Sequence, residues 1–403
     1  MIMDRTNYAP WSSRLRELDV PTCIDLFGGA GGLSLGFAQA GGLPLAAVDN
    51  HPDSTLTYQA MFPMATDVHC GDIEDWRPDR TYVGKVDVLI GGPPCGGFSL
   101  ARGARFVDDP RNHLYKHFVR LVRYYNPAWI VIENVPGITN IGAGIILKQI
   151  YEDFEDLGYD LSHRVINMAN YGVPQTRTRA IFVGNRLGRS FDWPMATHAS
   201  AKRATPNLFG ETVPHLSVGS ALGDLPWPMG NYFAHRANSQ MRGPRNRVVE
   251  TEPAFTLRVR GDEFGLCEEP ATGVFIPGPL PEVDFSYAPP LHPYQELMRE
   301  SPPGWINWDG KSGALRSEQP PPLLGTRRLS TRELARLQSF PDWFEFTGRP
   351  YAQCRQIGNA VPPLFAKILF REIFAAYGFH IEGVDCGKAN VAKVLDEGII
   401  GAG

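Results

Sequence analysis

The sequence predicts an α/β fold, a mostly parallel sheet with helices on both faces, joined to a second, smaller and irregular β-rich unit. Three observations carry this expectation. Short apolar or β-branched runs alternate with amphipathic stretches from residue 22 to about residue 186, composition then changes over 187–325, and helical periodicity returns from residue 329. Alternation of the first kind marks strands followed by crossover helices.

The strands are read in order from TCIDLF (22–27), LAAVD (45–49), VDVLIGG (86–92), WIVIENV (129–135) and RAIFVGN (179–185). Runs that stay apolar without strict alternation suit strands buried on both faces, as in a parallel sheet. The stretch 187–325 holds 19 of the 35 prolines and few residues at helical spacing, which excludes a helical bundle and favours short strands with long loops. LSTRELARLQSF (329–340) and PPLFAKILFREIFAAYGF (362–379) regain the 3.6-residue period and are expected to fold back onto the first unit. The expected organisation is an extension (1–21), a first domain (22–186), a second (187–325), returning helices (326–380) and a tail (381–403).

Composition bounds the function. A chain of 403 residues with formal net charge −4 has room for two domains and is no histone-like polycation, so nucleic-acid contacts would have to come from local basic patches. Six cysteines are scattered without a C-x-x-C pair, against both a zinc ribbon and a disulfide scaffold. Neither an apolar signal core nor a run of about 20 apolar residues occurs, so a soluble, cytoplasmic protein with reduced thiols is expected.

Two groups of residues suggest chemistry. In CIDLFGGAGGLSLGFAQAG (23–41), glycines at 28, 29, 31 and 32 allow a sharp turn and close approach of a ligand, and the helix start favours a negative group. Such a turn is equally a tight connection between core elements. Asp49 ends the next strand, about 20 residues on, where an acid can bond both hydroxyls of a ribose. Gly71-Asp72-Ile73 offers a further carboxylate and an apolar face for an adenine, and the lack of G-x-G-x-x-G spacing favours a nucleoside ligand smaller than a dinucleotide. In VDVLIGGPPCGGFS (86–99), Cys95 follows a buried strand, with two prolines before it and two glycines after it. No core position needs that setting, and a thiolate stabilised there by loop amides would be a soft nucleophile. Glu133 ends a strand at the same sheet edge and is read as a partly desolvated carboxyl able to donate a proton near neutral pH, or else as a solvated strand-end acid. Gln175, Arg177 and Arg179 alternate into a strand and would share a face, either as a salt-bridged edge or as a binding row.

Taken in order, DLFGGAGG, GGPPCGGFS, ENV, QTRTR, RELARLQSFP and GNAVPP resemble the motif set of the DNA (cytosine-5)-methyltransferase family, over roughly residues 22–369. The resemblance implies the Rossmann-like fold of S-adenosylmethionine-dependent methyltransferases, double-stranded DNA as partner and a flipped cytosine in the crevice. It implies attack by Cys95 on ring carbon 6, Glu133 on the ring nitrogen and exocyclic amine, and Arg179 on the ring carbonyl oxygen, with Arg177 and Gln175 orienting their loop. Phe27, Gly29, Gly31, Gly32, Asp49, Asp72, Ile73, Pro94, Leu114 and Asn359 would line the S-adenosylmethionine pocket, and no metal is implied. Region 187–325 becomes a target-recognition domain. There Arg236, Arg242, Arg245, Arg247, Arg258 and Arg260 would serve phosphates or guanine edges, or form an ordinary solvated basic face. Thr256-Leu257 resembles a pair near the flipped nucleotide. Arg102, Arg105 and Arg111 would form a mobile DNA-closing loop, and Ser99 would contact DNA. Gly96 departs from the glutamine most members carry after the cysteine, which implies weaker contacts to the flipped base and more room near the sulfonium. Two other readings stand beside this one: an RNA-acting relative, against which the long proline-rich insert counts, and an inactive DNA-binding member, against which Cys95, Glu133 and Arg179 count together. The expected setting is a prokaryotic restriction-modification or solitary enzyme, monomeric, with a companion restriction endonuclease as a possible separate protein.

Overall fold

The computed structural model describes residues 20–77, 79–94, 113–140, 144–200, 210–222 and 331–379, together with the backbone of short strands at 206–207, 247–249, 254–255, 260–261, 267–268, 273–275 and 326–328. In chain order the main elements are β1 (Thr22–Leu26), α1 (Gly32–Gln39), β2 (Leu43–Asp49), α2 (Pro52–Met61), β3 (Asp67–Cys70), β4 (Val88–Gly91), α3 (His113–Tyr125), β5 (Trp129–Asn134), α4 (Ile145–Glu155), β6 (Asp160–Asn167), β7 (Gln175–Thr176) and β8 (Thr178–Asn185). They are followed by α5 (Val218–Leu222), α6 (Thr331–Leu337), α7 (Pro350–Asn359) and α8 (Pro363–Tyr377).

Seven strands form one sheet in the order β3-β2-β1-β4-β5-β8-β6. The first five pair in parallel, and β8 runs antiparallel to both β5 and β6. The direction of β8 is compatible with its connection: residues 168–177, which include β7, return the chain from β6 as an antiparallel neighbour, whereas a parallel one needs a longer crossover. Alternate side chains feed opposite faces. Ile24, Leu26, Leu89, Ile130 and Ile132 pack on one side with Phe118, Leu121 and Phe154 of α3 and α4. Cys23, Val88, Ile90, Trp129 and Val131 pack on the other with Phe37 of α1 and Phe365, Phe370 and Phe374 of α8. A third cluster joins α2, α5, α6 and α7 through Tyr58, Phe62, Leu334, Phe344 and Ile357.

Helix α8 lies against α1 because α1 carries glycine where the backbones meet. A Cβ on Gly36 would sit 2.3 Å from the Ala366 Cβ and 2.7 Å from the Pro363 carbonyl oxygen, and one on Gly32 would sit 2.3 Å from the Val361 carbonyl oxygen. Phe37 fills the remaining space edge-on, with ring centroids 4.9 Å from Phe370 and 5.0 Å from Phe374. Gly36→Ala is therefore expected to destabilise the fold by roughly 1–3 kcal/mol despite its better helix propensity. Gly137→Ala, where a Cβ meets nothing within 4 Å, is the control. Urea midpoints check this, and equal midpoints for the two variants would contradict the close crossing.

Candidate active site

The parallel strands β1, β2, β4 and β5 end along one edge of the sheet, and the candidate site residues gather there. The chain leaves β1 through Phe27 at φ 60, a left-handed conformation uncommon for a bulky residue and the kind of strain that gathers at ligand sites. Gly29 follows at φ 55 with open space where a side chain would be, and its N–H donates to the Asp49 carboxylate at 3.0 Å. The other Asp49 oxygen accepts from the His51 N–H at 2.9 Å. Burial pushes the Asp49 carboxyl up from its ordinary value, opposed by those two backbone donors and by the charges of His51 and of Arg355 on α7.

Beneath this loop lies a buried polar chain. Asp25 accepts from the Ser34 hydroxyl at 2.6 Å, and that hydroxyl lies 2.6 Å from the Tyr58 hydroxyl. A Cβ on Gly28 would come within 3.1 Å of the Asp25 carboxyl carbon, so the loop rests on this acid. Burial raises the Asp25 carboxyl to about 7; the Ser34 hydrogen bond opposes the rise and the Asp49 charge adds to it.

The glycines named from the sequence divide by environment. Gly29 alone of the three faces open space, whereas Gly31 (φ 87) packs on Phe62, 2.3 Å from where its Cβ would be, and Gly32 packs on Val361. At the last two, glycine is required by backbone conformation and by packing on the Cβ side, while their peptide groups form the start of α1. Asp72 is exposed and caps its own turn by accepting from the Glu74 N–H at 2.9 Å. Ile73 is buried in the core with Trp76, so its side chain is not the free apolar face expected for it. Leu114 is half-buried against the same core at the start of α3, and Asn359 is exposed at the end of α7.

At the chemical end, β4 runs into Gly92, Pro93 and exposed Pro94. The Asn134 side-chain amide donates to the Pro93 carbonyl at 3.0 Å. A Cβ on Gly92 would lie 3.2 Å from a Glu133 carboxylate oxygen, so glycine leaves that acid its space. Glu133 faces Ile181 across the antiparallel pair, which makes Arg179 its diagonal neighbour on the same face. Their side chains form an ion pair, Arg179 Nε to Glu133 Oε1 at 2.8 Å, with only 15% and 12% exposure respectively.

Gln175 and Arg177 do not join that pair. Gln175 is buried and donates to the Leu337 carbonyl at 3.2 Å and the Gln338 side-chain oxygen at 2.6 Å. Arg177, 1% exposed, donates to the Gly358 carbonyl at 3.0 Å and the Asn359 carbonyl at 3.4 Å. The single row of three side chains is corrected: two of them bind the C-terminal segment, because carbonyls there offer a buried guanidinium and amide the acceptors they require. Gln175 accordingly presents no surface to DNA.

Cys95, Ser99, Arg102, Arg105, Arg111, Arg236, Arg242, Arg245, Thr256 and Arg258 lie outside the described residues, and Arg247 and Arg260 are described by backbone alone. The strand Ala254–Phe255 pairs in parallel with β7. Sequence reasoning placed Asn134 beside Glu133 at the strand end without giving it a role, and it missed Arg355 and Gln338. The latter two left no signal, because their partners lie on other elements. Among the described residues no helix is long and apolar enough to cross a membrane, and no cluster of three or more His, Cys, Asp or Glu could hold a metal.

Comparison with known proteins agrees with this architecture. The family described as C-5 cytosine-specific DNA methylase matches residues 21–375. The chain is 34% identical to the type II methyltransferase M1.HphI of Haemophilus parahaemolyticus over 363 residues, covering 86% of this chain and 85% of that protein. It is 35% identical to the type II methyltransferase M.XorII of Xanthomonas oryzae pv. oryzae over 386 residues, covering 88% and 85%. Among solved structures it resembles the Dnmt2 methyltransferase of S. pombe in fold, with TM-score 0.59 and 16% identity over 89% of this chain and all of that one.

The Asp25 carboxyl sets a pH dependence of stability. Its folded value of about 7 stands above its ordinary 3.8, so the folded state binds the extra proton. The associated stability is full below about pH 4 and is lost as pH rises through 7. Asp25→Asn should therefore lose less stability than wild type between about pH 5 and about pH 8 in urea unfolding. Equal losses would contradict a buried, near-neutral Asp25.

Proposed function

The chain belongs to the C-5 cytosine-specific DNA methylase family, and we propose that it methylates carbon 5 of cytosine within a specific sequence of double-stranded DNA, using S-adenosylmethionine and a covalent step at Cys95. The observation that carries this reading is the Glu133–Arg179 pair beside Gly92 and Pro93, on the same sheet edge as the Asp49–Gly29 contact. An acid and a cation thus stand next to the segment that leads into Cys95, at the same end of the parallel strands as Asp49 and Gly29.

The residues present fit the cofactor. Gly29 leaves open space over the loop, the Asp49 carboxylate borders it, the exposed Asp72 carboxylate stands on the neighbouring loop, and the start of α1 suits a carboxylate. When bound, S-adenosylmethionine supplies a methyl group activated by its sulfonium. Phe27, Leu114, Pro94 and Asn359 complete the wall in this reading.

On the DNA side, a cytosine turned out of the duplex would expose carbon 6, at a cost of a few kcal/mol. The Cys95 thiolate adds to that carbon, and electron density reaches carbon 5. Glu133 holds the ring nitrogen and exocyclic amine, which selects cytosine over thymine. Arg179 offsets the charge that grows on the ring carbonyl oxygen, and the guanidinium already fixed by Glu133 needs little reorganisation. After carbon 5 is methylated, loss of its proton expels Cys95. Arg177 and Gln175 act as struts that set the position of Arg179. Ser99, Arg102 and Arg111 are assigned to a segment that closes over DNA, and Arg245, Arg247, Thr256, Arg258 and Arg260 to target recognition. The type II names of the relatives favour a prokaryotic restriction-modification setting over a solitary enzyme; in this reading the chain is a cytoplasmic monomer and a companion restriction endonuclease is a separate protein.

Incubation with S-adenosylmethionine and unmethylated genomic DNA, followed by base-resolution sequencing, is expected to show 5-methylcytosine confined to one short motif. Cys95→Ser should lose far more than about tenfold in rate while still binding DNA, since a hydroxyl is a poor nucleophile at neutral pH. Methylation of transfer RNA but not DNA, or a serine variant within tenfold of wild type, would overturn the reading.

A further inference from the structure

Arg120 on α3 is not part of any motif, yet its half-buried guanidinium is spent on the loop that follows β3. One terminal nitrogen donates to the Ile73 carbonyl at 2.9 Å, and Nε donates to His117 Nδ1 at 3.2 Å. His117 Nδ1 is thereby an acceptor, and the opposite ring nitrogen lies 3.6 Å from a Glu74 carboxylate oxygen. Arg120 thus reaches the loop twice, directly at Ile73 and through His117 at Glu74.

The same loop is tied to the cofactor side of the crevice. The Gly71 N–H donates to the Asp49 carbonyl at 3.0 Å, Asp72 caps Glu74 at 2.9 Å, and the Trp76 N–H donates to the Asp72 carbonyl at 3.2 Å. Ile73 and Trp76 are anchored in the core. Asp72 is left exposed on a backbone braced by β2 on one flank and by Arg120 on the other. A loop needing only to be folded could leave its Ile73 carbonyl to water. Here a cation has been brought into a setting where burial and the neighbouring Arg77 charge both disfavour it.

We propose that Arg120 is the positioning residue for the adenosine end of the cofactor, acting through Ile73 and Glu74 rather than by touching the ligand. The proposal rests on the reading of this crevice as an S-adenosylmethionine site. Its specific content is that Arg120 sets the geometry of Asp72 and of the Ile73 backbone, and so governs cofactor affinity while leaving the chemistry to other residues.

The test uses the full chain and three variants: Arg120→Met, which keeps the stem and removes the donors; Arg120→Lys, which keeps one charged donor; and His117→Ala, which cuts only the path to Glu74. Kd for S-adenosylmethionine and for S-adenosylhomocysteine is measured by calorimetry, DNA affinity by gel shift, and KM and kcat separately. Arg120→Met is expected to weaken both Kd values by about ten- to a hundredfold, the worth of one charge-assisted hydrogen bond. KM for the cofactor should rise in parallel, with kcat at saturation within about twofold and DNA affinity unchanged. Arg120→Lys should recover part of the loss, and His117→Ala should fall between wild type and Arg120→Met. Unchanged Kd in folded Arg120→Met, no recovery by lysine, or a fall in kcat and DNA binding together with Kd would overturn the assignment. Should Arg120→Met not fold, wild-type affinity in His117→Ala would overturn it. Wild-type protein that binds neither ligand overturns the cofactor reading itself, and this assignment with it.

Discussion

A guanidinium with 1% of its surface exposed has to be met by acceptors, and for Arg177 those are the Gly358 and Asn359 carbonyls, about 180 residues further along the chain. Next to it, Gln175 bonds Gln338, and Gln338 in turn donates to the Ala360 carbonyl. This buried polar knot fastens the end of α7 to the strand that carries Arg179. With that join made, α8 lies along the glycine face of α1, and Arg355 of α7 acts on Asp49. The residues at both ends of the candidate site are therefore tied to the same C-terminal segment by long-range contacts.

Three carboxylates sit at or near this edge of the sheet, each managed differently. Asp25 is buried under the glycine turn and kept near neutrality by burial. Asp49 holds the same turn through the Gly29 N–H and its own loop through the His51 N–H. Glu133 is matched by the Arg179 cation. The Asp25 and Asp49 charges would repel if both acids were ionised and unpaired, and the Asp49 charge adds to the rise at Asp25. The arrangement leaves one acid beneath the loop, one at the nucleoside end and one at the chemical end.

The fold class was legible because the central strands announce themselves. TCIDL, VLIG and WIVIEN are apolar on both faces, as only a covered sheet requires. Edge strands were not legible. DVHC and DLSHRVIN are half-exposed and polar at many positions, so neither a run nor a clean alternation marks them. Helix α7, PYAQCRQIGN, escaped for a related reason: its buried face includes Gln356 and Cys354, and Gln356 accepts from Thr57 at 2.7 Å rather than packing apolar surface. Within the site, local signals pointed to Asp49, Glu133 and Arg179 as candidates, since an acid at a strand end or a cation entering a strand is visible in sequence. What Gln175, Arg177, Gly31 and Gly32 face was not visible. Their partners lie on other elements, and spacing along the chain carries no information about which residue a buried polar group or a glycine will meet.

The central claim is that the thiol of Cys95 bonds covalently to cytosine in a DNA duplex. Intact-mass analysis after incubation with S-adenosylmethionine and a duplex carrying 5-fluorocytosine at the target position tests it most directly, because fluorine cannot leave as the carbon-5 proton does. The expected result is a stable protein–DNA adduct carrying one extra methyl group, formed by wild type and absent in Cys95→Ser. Wild-type protein that binds the duplex and methylates ordinary target DNA, yet gives no adduct, would contradict it.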